Sequence, residues 1–370
     1  MNEGIKEHLR AIVNIYRNAV KIKAGPVSPS CGLLLFIFAY ALSKSREKIT
    51  AVDVGAGVGV STAFLATGIN GRVYAIEKNK NFCEKLQENI ASLKLDKKVE
   101  IIYGDFVDYV NSISDTDFIF IDVGHKIDHD LINSAVKILK NNGILLIHDA
   151  ILHVTRIIDA LSFLRSKDYV YSVIPVDTGI LAISKSSENS MLIMRELFRL
   201  APKLGPTPVS FNTAKLIFIL SKITCKPGTI LLDIGAGYGI STFSMCLAVK
   251  NSHCKVYAVE RNEDYARHLM MIRRKLELEE ILDVLVMDAK EIDVRESTSF
   301  AFIDAKKDEY LDYLSRVEKH LRSGAIIGAH NTISHAYLIK MKDFLEYVYK
   351  HFYSLTIMSD EGGVTISLNP

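Results

Sequence analysis

Apolar residues fall along this chain in two textures, and both recur in each half. Short continuous runs at 49–54, 72–77, 100–103, 118–122 and 143–148 are rich in β-branched and aromatic residues. They predict strands buried on both faces, as in a parallel sheet. A second series at 229–234, 255–260, 284–287, 300–304 and 325–329 repeats the first. Between the runs lie amphipathic stretches of helical period. This alternation predicts an α/β fold in each half, a doubly wound, mostly parallel sheet. Each half then closes on two strands around a glycine turn, 171–175 and 180–184 flanking Asp177-Thr-Gly179, and 353–358 and 364–368 flanking Asp360-Glu-Gly-Gly363. Both read as antiparallel hairpins added at one sheet edge. The apolar run 33–42 is too short to span a bilayer and reads as a buried helix. Stretches 5–20 and 191–200 read as the helices that open the halves, each followed by a Pro-containing segment at 25–29 and 205–209.

The halves are copies. Asp53 and Asp233, Glu77 and Glu260, Asp105 and Asp288, Asp122 and Asp304, and Gly143 and Gly324 all pair at an offset of 180 to 183 residues. The small drifts fall between elements, where loops absorb them. A chain of 370 residues also exceeds the size at which one core keeps growing. Two tandem domains are expected, residues 1–187 and 188–370, meeting in the polar stretch 185–190.

Composition narrows the class. Hydrophobic residues make up 49% and charged residues 24%, which fits a globular protein. A net charge of +2 gives no electrostatic footprint for nucleic acid, and no basic or aromatic-interleaved run suggests one. The five cysteines have no zinc-type or CxxC spacing and read as reduced thiols. With no secretory leader pattern at the start, a cytoplasmic protein without a membrane partner is expected.

The repeated chemistry is a loop. Asp53-Val-Gly-Ala-Gly-Val-Gly59 and Asp233-Ile-Gly-Ala-Gly-Tyr-Gly239 each follow a predicted strand and precede a predicted helix. Such glycines let a backbone approach a ligand closely, and the helix amides then face it. A dinucleotide fingerprint would need glycine at 60 or 240, and those positions are Val60 and Ile240, which argues against NAD or FAD. A second acid ends the next strand in both copies, Glu77 and Glu260. Asp53 and Asp233 either contact the ligand or only brace the loop.

On these residues the sequence resembles the class I S-adenosylmethionine (SAM)-dependent methyltransferases, whose domain is Rossmann-like, over nearly its whole length. The resemblance implies SAM as cofactor. It implies that Asp53, Gly55, Ala56, Gly57 and Gly59, and Asp233, Gly235, Ala236, Gly237 and Gly239, surround its methionine part, with Ser61 and Ser241 near the carboxylate. Glu77 and Glu260 would hold the ribose hydroxyls, and Asp105 and Asp288 would lie near the adenine amine. Asp122 and Asp304 would border both cofactor and acceptor.

Phe302-Ile-Asp-Ala-Lys-Lys-Asp-Glu-Tyr310 is similar to the F-I-D-A-x-K-x-x-Y segment of the catechol and caffeoyl-CoA type O-methyltransferases. That similarity implies Asp304 as a ligand of a divalent metal and Lys307 as a base near the acceptor. The family's following Asp-Asn pair is His330-Asn331 here, a poorer set for an oxygen-seeking cation. In the first half, Ile121-Asp-Val-Gly-His125 and His148-Asp149 are similar to a related group, with Asp122, His148 and Asp149 as the metal candidates and His125 as the base. Each histidine can equally be a polar residue satisfied at a strand end.

The expected activity is O-methylation of a small-molecule acceptor, the two halves forming an intramolecular pseudo-dimer with further homo-oligomerisation open. An RNA or protein methyltransferase ranks below it. A chain with one inactive, scaffolding or SAM-sensing half is the third reading, because each half departs from the metal-dependent pattern in a different place.

Overall fold

The structure is a computed structural model, described over residues 3–124, 127–167, 169–186, 189–201 and 208–370. It divides into two compact units, Met1–Lys185 and Ser186–Pro370. In the first, the order is α1 (Glu3–Lys21), α2 (Pro29–Ser45), β1 (Ile49–Val54), α3 (Val60–Gly68), β2 (Gly71–Glu77), α4 (Lys80–Ser92), β3 (Val99–Tyr103), α5 (Phe106–Tyr109), β4 (Thr116–Ile121), α6 (His129–Ile138), β5 (Leu139–Ile147), α7 (Ile158–Arg165), β6 (Tyr169–Ile174) and β7 (Ile180–Lys185). The second runs α8 (Ser190–Leu200), α9 (Phe211–Thr224), β8 (Ile230–Ile234), α10 (Ile240–Val249), β9 (Lys255–Glu260), α11 (Glu263–Lys275), β10 (Leu282–Val286), β11 (Thr298–Ile303), α12 (Tyr310–Val317), β12 (Leu321–His330), α13 (Lys342–His351), β13 (Tyr353–Ile357) and β14 (Val364–Leu368).

Each unit carries a seven-stranded sheet among the described residues, in the orders β3-β2-β1-β4-β5-β7-β6 and β10-β9-β8-β11-β12-β14-β13. Five strands are parallel and the closing hairpin is antiparallel, its second strand pairing with β5 or β12. The buried run 33–42 lies inside α2, where Leu34 to Ala39 are fully buried. Ser28 starts that helix by accepting the Cys31 N–H at 3.2 Å, and Pro29 takes the first turn, where its missing donor costs nothing. Ser210 caps α9 in the same way. β5 and β12 begin before their glycines, because Leu139 and Leu321 already pair with Thr116 and Thr298 across a register shift. Among the described residues no helix is long and apolar enough to cross a membrane.

The registers aim the site. Val54 pairs with Ile121 and Ile121 with Ile147, so Gly55, Asp122 and His148 leave the sheet side by side. In the second unit Ile234, Ile303 and Ala329 line up likewise, bringing together Gly235, Asp304 and His330. The crossover direction reverses between β1 and β4, and a cleft opens there at the strands' carboxyl ends.

One expectation fails. Cys225 and Cys254 are joined in a disulfide, with Cα atoms 6.3 Å apart, so this pair is not reduced. Cys225 directly follows α9 and Cys254 directly precedes β9, and the Gly228 N–H donates to the His253 carbonyl at 3.0 Å, holding the two loops together. Proximity came from the sheet rather than from sequence spacing. Cys31, Cys83 and Cys246 are free thiols.

The copies also differ in how the sheet base is held. Asp117, buried in β4, accepts from Arg46 at 2.6 Å, Lys140 at 2.9 Å and the Thr50 N–H at 3.0 Å. The matching residue in β11 is Ser299, which donates to the Ile230 carbonyl. Removing one partner of a buried ion pair strands the other. Asp117→Ala is therefore expected to destabilise the first domain by about 3 kcal/mol, and Ser299→Ala the second by about 1 kcal/mol or less, read from urea melts by circular dichroism. Equal losses would contradict this assignment.

Candidate functional site

The glycine loop is built by packing on one side and left open on the other. A Cβ at Gly55 would collide with the Asp122 carbonyl, and one at Gly235 with the Asp304 carbonyl, so these glycines are demanded by the sheet. Gly57 and Gly237 are different. Their φ angles are 54° and 53°, and nothing lies within 4 Å of where a Cβ would stand. The backbone there faces open cleft, which a ligand can approach closely.

Glu77 and Glu260 hold that backbone. Glu77 accepts the Gly57 N–H on Oε2 at 2.8 Å and the Asn79 N–H on Oε1 at 2.7 Å. Glu260 accepts from Gly237 and Asn262, both at 2.8 Å. Each glutamate is 8% exposed, and each oxygen of its carboxylate keeps a lone pair after these bonds. Asp105 and Asp288 cap the next turn, accepting the N–H of Val107 at 3.4 Å and of Lys290 at 2.9 Å. These acids and Ser61 or Ser241 line clefts of ≈ 380 Å³ in the first unit and ≈ 690 Å³ in the second. Both volumes lie in the range of small-molecule sites.

Asp53 and Asp233 do not line the clefts. Both are fully buried and brace the loop from behind. Asp53 Oδ2 accepts from Ser61 at 2.8 Å and Thr62 at 2.5 Å; Asp233 Oδ2 accepts from Ser241 at 2.7 Å and Thr242 at 2.5 Å. Their Oδ1 atoms have no partner among the described residues. Burial outweighs the hydroxyl bonds and pushes both carboxyls up to about 7. The sequence left open whether these acids touch the ligand or brace the loop, and the structure shows the brace.

The acceptor sides diverge. In the first unit Asp122, His148 and Asp149 bring one ligand atom each to within 4.8 Å of one another. His148 Nδ1 lies 3.2 Å from Asp122 and 3.7 Å from Asp149, and Nε2 lies 3.1 Å from the Thr178 hydroxyl and 3.4 Å from Asp177. Burial works against the imidazolium, but the bond and charge of Asp122, with Asp149 and Asp177, hold His148 above its ordinary value. His125 lies outside the described residues.

In the second unit Asp304 Oδ1 meets the Lys307 ammonium at 2.6 Å and Oδ2 meets His330 Nδ1 at 3.1 Å. His330 Nε2 lies 3.0 Å from Asp360 Oδ2. Burial opposes the charge on His330, but these two carboxylates raise it to about 9. Lys307 also donates to the Tyr310 hydroxyl at 2.9 Å, and Tyr310 donates to the His330 carbonyl at 3.2 Å. Asn331 occupies the place of Asp149, both with left-handed φ angles of 61° and 65° that Asn and Asp tolerate.

The donor sets therefore fit a metal differently. Two carboxylates converging with an imidazole suit a borderline divalent ion in the first unit. In the second, both oxygens of Asp304 already bond side chains, one of them a lysine, and the set Asp304, His330 and Asn331 does not fit.

Sequence reasoning missed Asp177 and Asp360. Asp177 accepts the Ser28 N–H at 2.9 Å, and Asp360 accepts from the Thr213 hydroxyl at 2.5 Å. Each ties the hairpin turn to the start of α2 or α9 and faces the histidine. The signal was an acid at the same place in both turns, which reads as turn chemistry.

A family model described as a methyltransferase domain matches residues 30–150, and one described as O-methyltransferase matches residues 183–356. The chain belongs to the class I SAM-dependent methyltransferases, as a tandem duplicate. It is 31% identical over 135 residues to a caffeoyl-CoA O-methyltransferase of Mesembryanthemum crystallinum, a match covering 34% of this chain and 51% of the relative. A caffeoyl-CoA O-methyltransferase of Zea mays is 28% identical over 203 residues, covering 52% of this chain and 72% of the relative. The chain thus spans between about half and three quarters of the length of these relatives. Among solved structures, a methyltransferase from Geobacter sulfurreducens is similar at 20% identity and a TM-score of 0.43, over 48% of this chain and 90% of that one.

The two methyltransferase loops share a pH signature. The folded state keeps the Asp53 proton up to about 7, whereas an unfolded aspartate releases it near 3.9. Between these values the folded state binds more protons, so this group's contribution to stability falls as pH rises through the window. Asp53→Asn removes that slope. Its unfolding free energy relative to the unmodified protein is expected to rise by about 3 kcal/mol between pH 5 and pH 8 in urea melts. A pH-independent difference would contradict the raised carboxyl.

Proposed function

We propose that this chain is a SAM-dependent O-methyltransferase of a small-molecule acceptor, with SAM bound in both clefts. One observation carries the reading. At the lip of each cleft a carboxylate is pinned by two backbone N–H groups and keeps one lone pair on each oxygen. Two adjacent acceptors on a rigid mount suit a vicinal diol, the ribose of SAM. Gly57 and Gly237 leave the room that the methionine part needs beside them. By their names, curated relatives act on caffeoyl-CoA, and only the class is carried over, an oxygen acceptor.

In the reaction the acceptor hydroxyl gives up its proton to solvent water and its oxygen attacks the sulfonium methyl in line. The new C–O bond forms as the C–S bond breaks, and S-adenosylhomocysteine leaves with the sulfur lone pair restored. The chain supplies mainly position. Glu77 and Glu260 fix the ribose, and the strand ends at Asp122 and Asp304 set the acceptor's direction of approach. Asp122, His148 Nδ1 and Asp149 would hold a divalent ion in the first domain, which would polarise the acceptor hydroxyl.

Calorimetric titration with SAM tests the reading. Two sites per chain are expected. Glu77→Ala removes two bonds to a charged acceptor and is expected to weaken one site by about 100-fold while leaving the other unchanged, with Glu260→Ala doing the reverse. Absence of SAM binding in the unmodified chain would overturn it.

A further inference from the structure

We propose that the second domain works without a divalent metal, the ammonium of Lys307 standing as a built-in cation on Asp304. This rests on reading the Asp304 end of the cleft as the acceptor side of a methyltransferase domain. A divalent ion needs converging ligands free of competing positive charge, and on Asp304 the Lys307 ammonium already sits on one oxygen at 2.6 Å, with His330 Nδ1 on the other at 3.1 Å. His330 cannot swing away to become a ligand freely. Asp360 holds its Nε2 at 3.0 Å, and Asp360 is itself fixed by the Thr213 hydroxyl at 2.5 Å and the N–H groups of Gly362 and Gly363, both at 3.0 Å.

Lys307 is equally fixed. It bonds the hydroxyl of fully buried Tyr310 at 2.9 Å, and that hydroxyl is anchored on the His330 carbonyl. The ring faces of Tyr310 and Tyr337 lie 5.2 and 5.9 Å from the ammonium. An incoming cation would have to displace the Lys307 ammonium from its bonds to Asp304 and Tyr310, and like charges so close repel strongly. An ammonium has three donors, and Asp304 and Tyr310 use two. The third is available to a single acceptor oxygen, where a metal ion would chelate two. In the first domain Asp122 instead meets His148 Nδ1 at 3.2 Å and shares a group of potential ligands with His148 and Asp149.

The test uses the full chain with Mn²⁺ as the probe, free ion counted by electron paramagnetic resonance, and SAM titrated on the same samples. Asp304→Asn is expected to leave the number of Mn²⁺ bound per chain unchanged. Lys307→Met is expected to raise it by one. Loss of one Mn²⁺ on Asp304→Asn would overturn the proposal. So would no gain in Lys307→Met and in Lys307→Gln, provided the far-ultraviolet circular dichroism of these variants matches the parent. Failure of SAM to bind would instead overturn the methyltransferase reading and would leave the Mn²⁺ count to decide this one.

Discussion

A buried carboxylate behind each glycine loop fixes the geometry on which both sites depend. Asp53 joins the end of β1 to the first turn of α3 through Ser61 and Thr62, and Asp233 joins β8 to α10 through Ser241 and Thr242. That brace sets where the loop turns. The turn places Gly57 or Gly237 under the acid of the next strand, and Glu77 or Glu260 then locks the loop from the front. Strand register does the rest, bringing Asp122 or Asp304 beside the loop and the following histidine beside that aspartate. The brace carries a cost, an oxygen without a partner among the described residues and a carboxyl driven toward its neutral form. A cost retained in both copies marks a constraint set by the shape of the loop.

Behind that shared frame the copies have separated. The cofactor sides are governed by backbone, by positive φ angles and by N–H groups that need a carboxylate at a strand end. Few substitutions satisfy such terms, so the two loops agree almost residue for residue. The acceptor sides are governed by side chains. One gathers Asp122, Asp149 and Asp177 around the His148 imidazole, and the other threads Lys307, Asp304, His330 and Asp360 into a closed chain of charge. Each arrangement is internally consistent, and the two ask for different electrostatics from an acceptor.

This division also explains what could be read from residues alone. The sheets, the hairpins and the clefts were legible because apolar runs and glycine spacing report backbone directly. Glu77 and Glu260 were legible for the same reason, as acids at a strand end after a glycine loop. Asp177 and Asp360 were not, because their meaning depends on a hairpin turn folding back over β5 or β12 to meet a histidine 29 or 30 residues earlier in the chain. The Cys225–Cys254 bond was hidden likewise, since the two loops meet only once β8 and β9 are side by side. Lys307 was marked as a base by the resemblance alone; its bonds to Asp304 at 2.6 Å and Tyr310 at 2.9 Å could not be read from the sequence.

The central claim is that two alike cofactor clefts serve two unlike acceptor sides. A crystal of the full chain grown with S-adenosylhomocysteine and Mn²⁺, with an anomalous difference map recorded for manganese, tests both parts at once. The account predicts S-adenosylhomocysteine on Glu77 and on Glu260, and manganese among Asp122, His148 and Asp149 but not at Asp304. Manganese bound by Asp304 with Lys307 swung away, or a nucleoside in neither cleft, would contradict it.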